Sequence, residues 1–250
     1  MGAGHAHALY VHEHSLVHRL APEVKLVAAF VFVLAVAVTP RQAIWAFAVD
    51  FTLAIVVIRL ARLRAGFVVF RLAAIAPFLL FAFLIPFIAT GEKIEVLAVS
   101  VSADGLWAMW NVIAKATLGG LVSIALAATT EVPDILRGLG RLRVPAVVTT
   151  IAMFMVRYLE LVADELGRMR TSMTARGYDP RWLSQAKPIA SAAGSLFIRS
   201  YERGERVYDA MLARGYTGVM PALGHRHTHW QEWAGASVFP LAALVAGVIL

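Results

Sequence analysis

Arginine stands at two matching places where it could recognise a partner. The stretches MTARGY (Met173–Tyr178) and MLARGY (Met211–Tyr216) share Met-x-Ala-Arg-Gly-Tyr, and each has an arginine five residues before its methionine, Arg168 and Arg206. A guanidinium is always charged, and its planar fork matches a carboxylate bidentately. A small alanine beside it lets a helix tip enter a groove closely. Two equal tips, Ala175-Arg176-Gly177 and Ala213-Arg214-Gly215, imply two equal grooves, as on a pseudo-symmetric pair of partner subunits. A plainer reading stands beside this one. Glycine closes a helix in the left-handed conformation, arginine in the last turn faces the negative end of the dipole, and Pro180 prevents continuation. Two ordinary caps account for Arg and Gly. They do not account for the repeated Met, Ala and Tyr, or for Arg168 and Arg206.

The tips need helices to carry them. Glu131 to Pro145 reads EVPDILRGLGRLRVP, in which Pro133 fits a first helical position and Asp134 the positive end of the dipole. Ile135, Leu136, Leu139 and Leu142 make one apolar stripe. A second helix is expected from near Ala146 to Arg176. Its Met155, Leu159, Val162, Leu166, Met169 and Met173 alternate spacings of four and three, a seam for packing on another helix. Asp164 and Arg168 are spaced for a surface pair. A third helix is expected from near Ser195 to Arg214, with Phe197, Tyr201, Tyr208, Met211 and Leu212 on its apolar face. Gly204 weakens it, and Glu202 and Arg206 pair on its outside.

The rest of the chain is built for lipid. Of 250 residues 60% are hydrophobic and 16% charged, with no cysteine, and the mean hydropathy is +0.71. A water-soluble domain rarely carries so much apolar surface. Apolar runs at Pro22–Thr39, Ala43–Leu60, Gly66–Thr90, Gly105–Thr129 and Ala234–Leu250 read as five spans, the third kinked or broken at Pro77 and Pro86. Ala35-Val36-Ala37 looks like a signal-peptide cleavage site, but the charge pattern favours a cytoplasmic N-terminus. Arg59, Arg62, Arg64 and Arg71 follow the second span, and arginines crowd residues 131–233, whereas the alternate connectors hold only Arg41 and Lys93 among basic residues. Basic residues accumulate on the cytoplasmic side. The expected fold is therefore an all-α polytopic membrane protein: about five transmembrane helices plus a cytoplasmic domain of two or three amphipathic helices. Residues 1–130 form the first four spans, 131–233 the cytoplasmic domain and 234–250 the last span. The net charge of +7 then needs no nucleic acid.

With these residues in place, the chain resembles the transmembrane T component of energy-coupling factor (ECF) transporters. The likeness rests on the two Ala-Arg-Gly helix ends, on Leu20, Pro22 and Lys25 in HRLAPEVKL, and on EVPDILRGLGRLRVP; RGERVYDAMLARGYTG is similar to the cobalt-transport branch. The resemblance implies a multi-pass subunit of the cell membrane. It implies two ABC-type ATPase subunits docked on Ala175, Arg176, Gly177, Ala213, Arg214 and Gly215. It implies a membrane substrate-capture (S) subunit as the other partner. Arg168, Met173, Tyr178, Arg206, Met211 and Tyr216 support the coupling helices, and Arg168 and Arg206 are expected to pair internally. Cobalt or nickel is the implied cargo, with vitamin-binding S subunits as the alternative.

Catalysis in this chain is not expected. There is no G-x-x-x-x-G-K-[ST] loop to cradle phosphates, no G-x-S-x-G elbow and no H-E-x-x-H zinc helix, and nothing points to a resident cofactor. Histidines cluster at His5, His7, His12, His14 and His18, and again at His225, His227 and His229. The second cluster gives candidates for metal contact. No histidine lies between His18 and His225, which counts against a self-contained metal carrier or membrane enzyme. Asp50 and Lys115, inside spans, are expected to pair or to face a helix interface rather than bind an ion. Gly119, Gly120 and Ser123 offer a small face for helix packing or for the S subunit. Trp107, Trp110, Trp230 and Trp233 read as interfacial anchors.

Overall fold

Long apolar runs bounded by proline and capping residues become helices in the computed structural model. It describes residues 10–11, 13, 15–89, 93–96, 99–179, 182, 185–218 and 228–249. In chain order these are α1 (Leu16–Arg19), α2 (Pro22–Val38), α3 (Ile44–Leu60), α4 (Ala65–Leu72), a 3-10 turn (Ala73–Ile75), α5 (Ala76–Ala82) and α6 (Ile85–Ile88). A hairpin of β1 (Lys93–Val96) and β2 (Val99–Ser102) follows, then α7 (Ala103–Thr129), α8 (Val132–Arg141), α9 (Ala146–Ala175), α10 (Lys187–Ala213) and α11 (Trp230–Ile249).

Helices stand at all five expected spans. The third is broken, because Pro77 and Pro86 each restart a short helix from the first turn. Among the described residues, three stretches are long and apolar enough to cross a bilayer: Ala65–Ile88, Ala103–Thr129 and Ala146–Ala175. The last of these is α9, which the sequence reading kept outside the membrane. Its first half is as apolar as a span, and Val147, Val148, Ile151, Met155 and Leu159 are exposed. The hairpin was not expected. It pairs Lys93 with Ser102 and Val96 with Val99, antiparallel, just ahead of α7.

The chain divides into two units, with the boundary inside α8 between Gly138 and Leu139. The first unit holds the helices up to Gly138 together with α11. There α11 lies along α2 and α3: Phe32 stacks on Phe239 at 4.4 Å, and Ala43 and Ala46 meet Ala246. Phe47 and Leu118 complete a core of small and aromatic residues, and Trp110 packs edge-on against Phe47. The outside is the reverse of a soluble protein, with Phe70 81% and Phe78 74% exposed, as a lipid-facing surface requires. Gly120 is taken by internal packing, since Ile75 and Leu72 fill the space beside it, while nothing lies within 4 Å of Gly119.

Lys115 and His18 meet backbone carbonyls, and Asp50 meets no hydrogen-bond partner among the described residues. Lys115 does not pair with Asp50. Its ammonium donates to the Ala37 carbonyl at 2.8 Å, an orphan acceptor in the last turn of α2. Asp50 instead faces the helix interface, fully buried, and neither carboxylate oxygen has a hydrogen-bond partner among the described residues. His18 is also used structurally. A carbonyl only accepts, so its Nε2–H donates to Val11 O at 3.0 Å and its Nδ1 accepts from the Ser15 hydroxyl at 2.7 Å. Burial pushes this imidazole below its ordinary pKa, in keeping with the neutral tautomer. The Val11 N–H in turn donates to Ala128 O at 3.0 Å, tying the N-terminal segment to the end of α7.

Gly138 lets α8 press on the start of α2. A Cβ there would stand 3.0 Å from Glu23 N and 3.2 Å from the Pro22 carbonyl carbon. Both are backbone atoms of a helix start and cannot swing aside. Gly138→Val is therefore expected to lower stability by about 1–3 kcal/mol, the usual cost of overpacking. Thermal unfolding in detergent reads it, and an unchanged midpoint would contradict the close approach.

Candidate functional site

The second unit carries both Ala-Arg-Gly tips, and they close in the same way. Arg176 and Arg214 are the caps of α9 and α10, with φ/ψ of −88/12° and −94/11°. Gly177 and Gly215 follow with φ of +79° and +81°, where a side chain would be strained. Tyr178 N–H donates to Met173 O at 3.1 Å and Tyr216 N–H to Met211 O at 3.0 Å. Gly177 N–H donates to Thr174 O and Gly215 N–H to Leu212 O, both at 2.9 Å. Each end is a complete Schellman motif.

That geometry accounts for residues the plain cap reading left over. Met and Tyr occupy the two positions whose side chains commonly meet across this motif. Both pairs are half-buried, while Ala175, Arg176, Ala213 and Arg214 are exposed. The Tyr178 hydroxyl also donates to the Gln185 carbonyl. The motif itself is not confined to the tips. α3 and α8 end with the same hydrogen bonds, with Arg62 (φ 56°) and Arg143 (φ 66°) in the left-handed position. Among the described residues, only at α9 and α10 does glycine take that position, with Ala-Arg presented ahead of it.

A buried carboxylate joins the two helices, and sequence reasoning missed it. Glu165 on α9 is 7% exposed and accepts from Arg199 Nη1 at 3.0 Å and Arg203 Nη2 at 3.1 Å, both on α10. Glu165 and Arg203 are 38 positions apart, the same offset as Arg176 and Arg214. The clamp thus pairs equivalent positions of the repeat, each eleven residues before its tip arginine, about 16 Å of helix. The offset itself is the signal that could have found it. Beside the clamp runs a cleft of about 290 Å³ lined by Phe154, Tyr158, Val162, Val207 and Met211.

The supporting arginines divide. Arg206 reaches Glu202 at 3.9 Å, one turn back. Arg168 forms no ion pair among the described residues, so the expected Asp164 partner is not engaged. An exposed pair of this kind gains too little to hold two long side chains together. α10 begins at Lys187, ahead of the expected Ser195, because Pro188 starts it. Pro180, His225 and His227 lie outside the described residues, as do His5, His7, His12 and His14. His229 is exposed, and no three His, Cys, Asp or Glu among the described residues converge on a metal-sized site. What the arrangement offers is recognition: two fixed helix ends, each holding out a cation with donors and no acceptor.

The sequence profile of the CbiQ family, described as cobalt transport protein, matches residues 13–225. The chain belongs to the CbiQ family. It is thereby a multi-pass membrane protein of the ECF-type transmembrane (T) component class, cobalt-transport branch. Among CbiQ relatives, the cobalt transport protein CbiQ of Rhodobacter capsulatus is 30% identical over 175 residues, 66% of this chain and 70% of that one. The energy-coupling factor transporter transmembrane protein EcfT of Bacillus subtilis is 26% identical over 254 residues, 94% of this chain and 92% of that one. A putative fused cobalt transport protein CbiMQ of Methanocorpusculum labreanum is 28% identical over 134 residues; the match covers 53% of this chain and 22% of that longer protein. The CbiQ profile spans both Ala-Arg-Gly tips and the clamp between them.

Proposed function

We propose that this chain couples ATP-driven motion to uptake of cobalt or nickel. Arg176 and Arg214 anchor two ABC-type ATPase subunits, one at each tip. Residues 131–233 lie on the cytoplasmic side, between four spans in 1–130 and the last span in 234–250. An S subunit in the membrane captures the ion and is reoriented when the ATPase pair closes and opens. The chain itself catalyses nothing, and hydrolysis belongs to the partners. One observation carries the reading: two helix ends with matching cap geometry, each exposing Ala-Arg, joined by a carboxylate at equivalent positions. Two equal tips fit two equal subunits.

The exposed apolar face of α9 and α10 supports the S-subunit part. Met155, Leu159, Phe197, Tyr201 and Tyr208 stand more than half exposed, and such a surface needs lipid or protein against it. A second reading keeps the mechanism and changes the cargo. In it the T component serves vitamin-binding S subunits; the likeness to EcfT over most of the chain supports the T-component role that both readings share.

Mass spectrometry of the complex that co-purifies with this chain in mild detergent tests both. Two ATPase copies with a metal-capture membrane subunit are the expected result. ATPases with a vitamin-binding subunit would replace the cargo. A chain that purifies alone at matched expression would leave the paired endings as helix caps only.

A further inference from the structure

The membrane-facing unit carries a cavity that coupling does not use. It holds about 300 Å³. Its wall comes from the N-terminal halves of α2 and α11 and the C-terminal halves of α3 and α7, with Val17 of α1. Ala29, Val57, Leu121 and Leu126 are typical of that wall, and its one charged residue is Lys25, whose ammonium donates to Thr129 O at 2.8 Å. Val56, Leu60 and Val238 line the cavity and are also exposed, at 46%, 47% and 65%. The cavity therefore opens sideways, onto the surface that faces lipid.

Chemistry and charge select the occupant. The wall is almost wholly apolar and opens onto the lipid-facing surface, which suits an acyl chain. The last turn of α3, which lines the cavity, runs directly into Arg59, Arg62 and Arg64. All three are exposed, and none forms an ion pair among the described residues. Basic residues at a membrane surface attract anionic headgroups, and a guanidinium grips phosphate with a paired fork. We infer that the cavity binds one acyl chain of an anionic phospholipid, with the phosphate held by Arg59, Arg62 and Arg64. The inference needs only that the unit sits in a bilayer, and it stands apart from the docking of ATPases.

The full chain in vesicles of phosphatidylethanolamine, doped with phosphatidylglycerol carrying a diazirine on its acyl chain, gives a direct test. After irradiation, adducts should concentrate severalfold on peptides holding Leu53–Leu60 and Leu121–Thr129, relative to Phe78–Phe83. Gly235 lines the cavity, and a Cβ there meets nothing within 4 Å, so Gly235→Phe starts a bulky side chain from open space at the cavity wall. That variant should lose the concentrated adducts and keep the melting temperature. Arg59→Gln, Arg62→Gln and Arg64→Gln together should remove the preference for phosphatidylglycerol over phosphatidylcholine with the same chain. Adducts spread evenly over the surface, or unmoved by Gly235→Phe, would overturn the site. Equal labelling by the phosphatidylcholine probe in the unaltered chain would overturn the anionic headgroup. Loss of the adducts when partner subunits co-purify would put a protein there instead.

Discussion

With Arg176→Ala and Arg214→Ala combined, ATPase subunits no longer co-purify with this chain, and the chain still inserts in the membrane. The expectation follows from the caps. The backbone of each tip is closed by hydrogen bonds from residues 177 and 178, and from 215 and 216, none of which needs the arginine side chain. Truncating Arg176 or Arg214 therefore removes the guanidinium and leaves the helix end in place. Cutting one side of a hydrogen-bonded charge pair at an interface costs about 2–5 kcal/mol. At about 1.4 kcal/mol per tenfold, one lost anchor weakens binding at least about thirtyfold. Distant sites add, so two lost anchors fall by the product. Lysine at both positions keeps the charge and loses the fork, and should rescue little. Arg170→Ala, an exposed arginine of α9 outside the motif, is the control and should bind normally. Undiminished co-purification of the double alanine variant would remove docking from these tips.

Glu165→Ala should abolish most ion uptake while each tip keeps its cap. The carboxylate is the meeting point of two cations on α10, and without it Arg199 and Arg203, four residues apart, repel one another. The helices then move independently, and motion at one tip no longer reaches the other. The chain has no cysteine, so spin labels can be placed at Thr174→Cys and Leu212→Cys alone. These positions are equivalent in the repeat, and both are exposed. Their distance distribution should be narrow in the parent and broad in Glu165→Ala. Exchanging the charges, Glu165→Arg with Arg203→Glu, should narrow it again and restore uptake. Parent-like uptake in Glu165→Ala would show that the clamp is not part of the coupling path.

Local signals were readable in the chain because their causes are local. Hydrophobic runs placed helices at the five expected spans, Pro77 and Pro86 marked the break in the third, and Gly177 and Gly215 marked the ends of α9 and α10. The family could be read as well, since the paired Ala-Arg-Gly endings are contiguous and repeat at one offset. The repeated Met and Tyr were visible but unexplained until the caps showed which carbonyl each N–H meets.

What the tertiary structure alone decided is which distant groups meet. Nothing in the periodicity of α11 says that it lies on α2, or that Phe239 stacks on Phe32. Lys115 and Asp50 looked like partners by charge, yet Lys115 is nearer an orphan carbonyl at the end of α2, and the orphan carbonyl won. Glu165 is one of several carboxylates on a polar helix face until α10 brings two guanidiniums to it. Sequence by itself determined where helices form, the C-terminal ends of α9 and α10 and the residues held out at the tips, because backbone conformation and hydrophobic patterning act over a few turns. Folding determined the clamp and the lipid-facing cavity, because both exist only where separate helices come to share the same space.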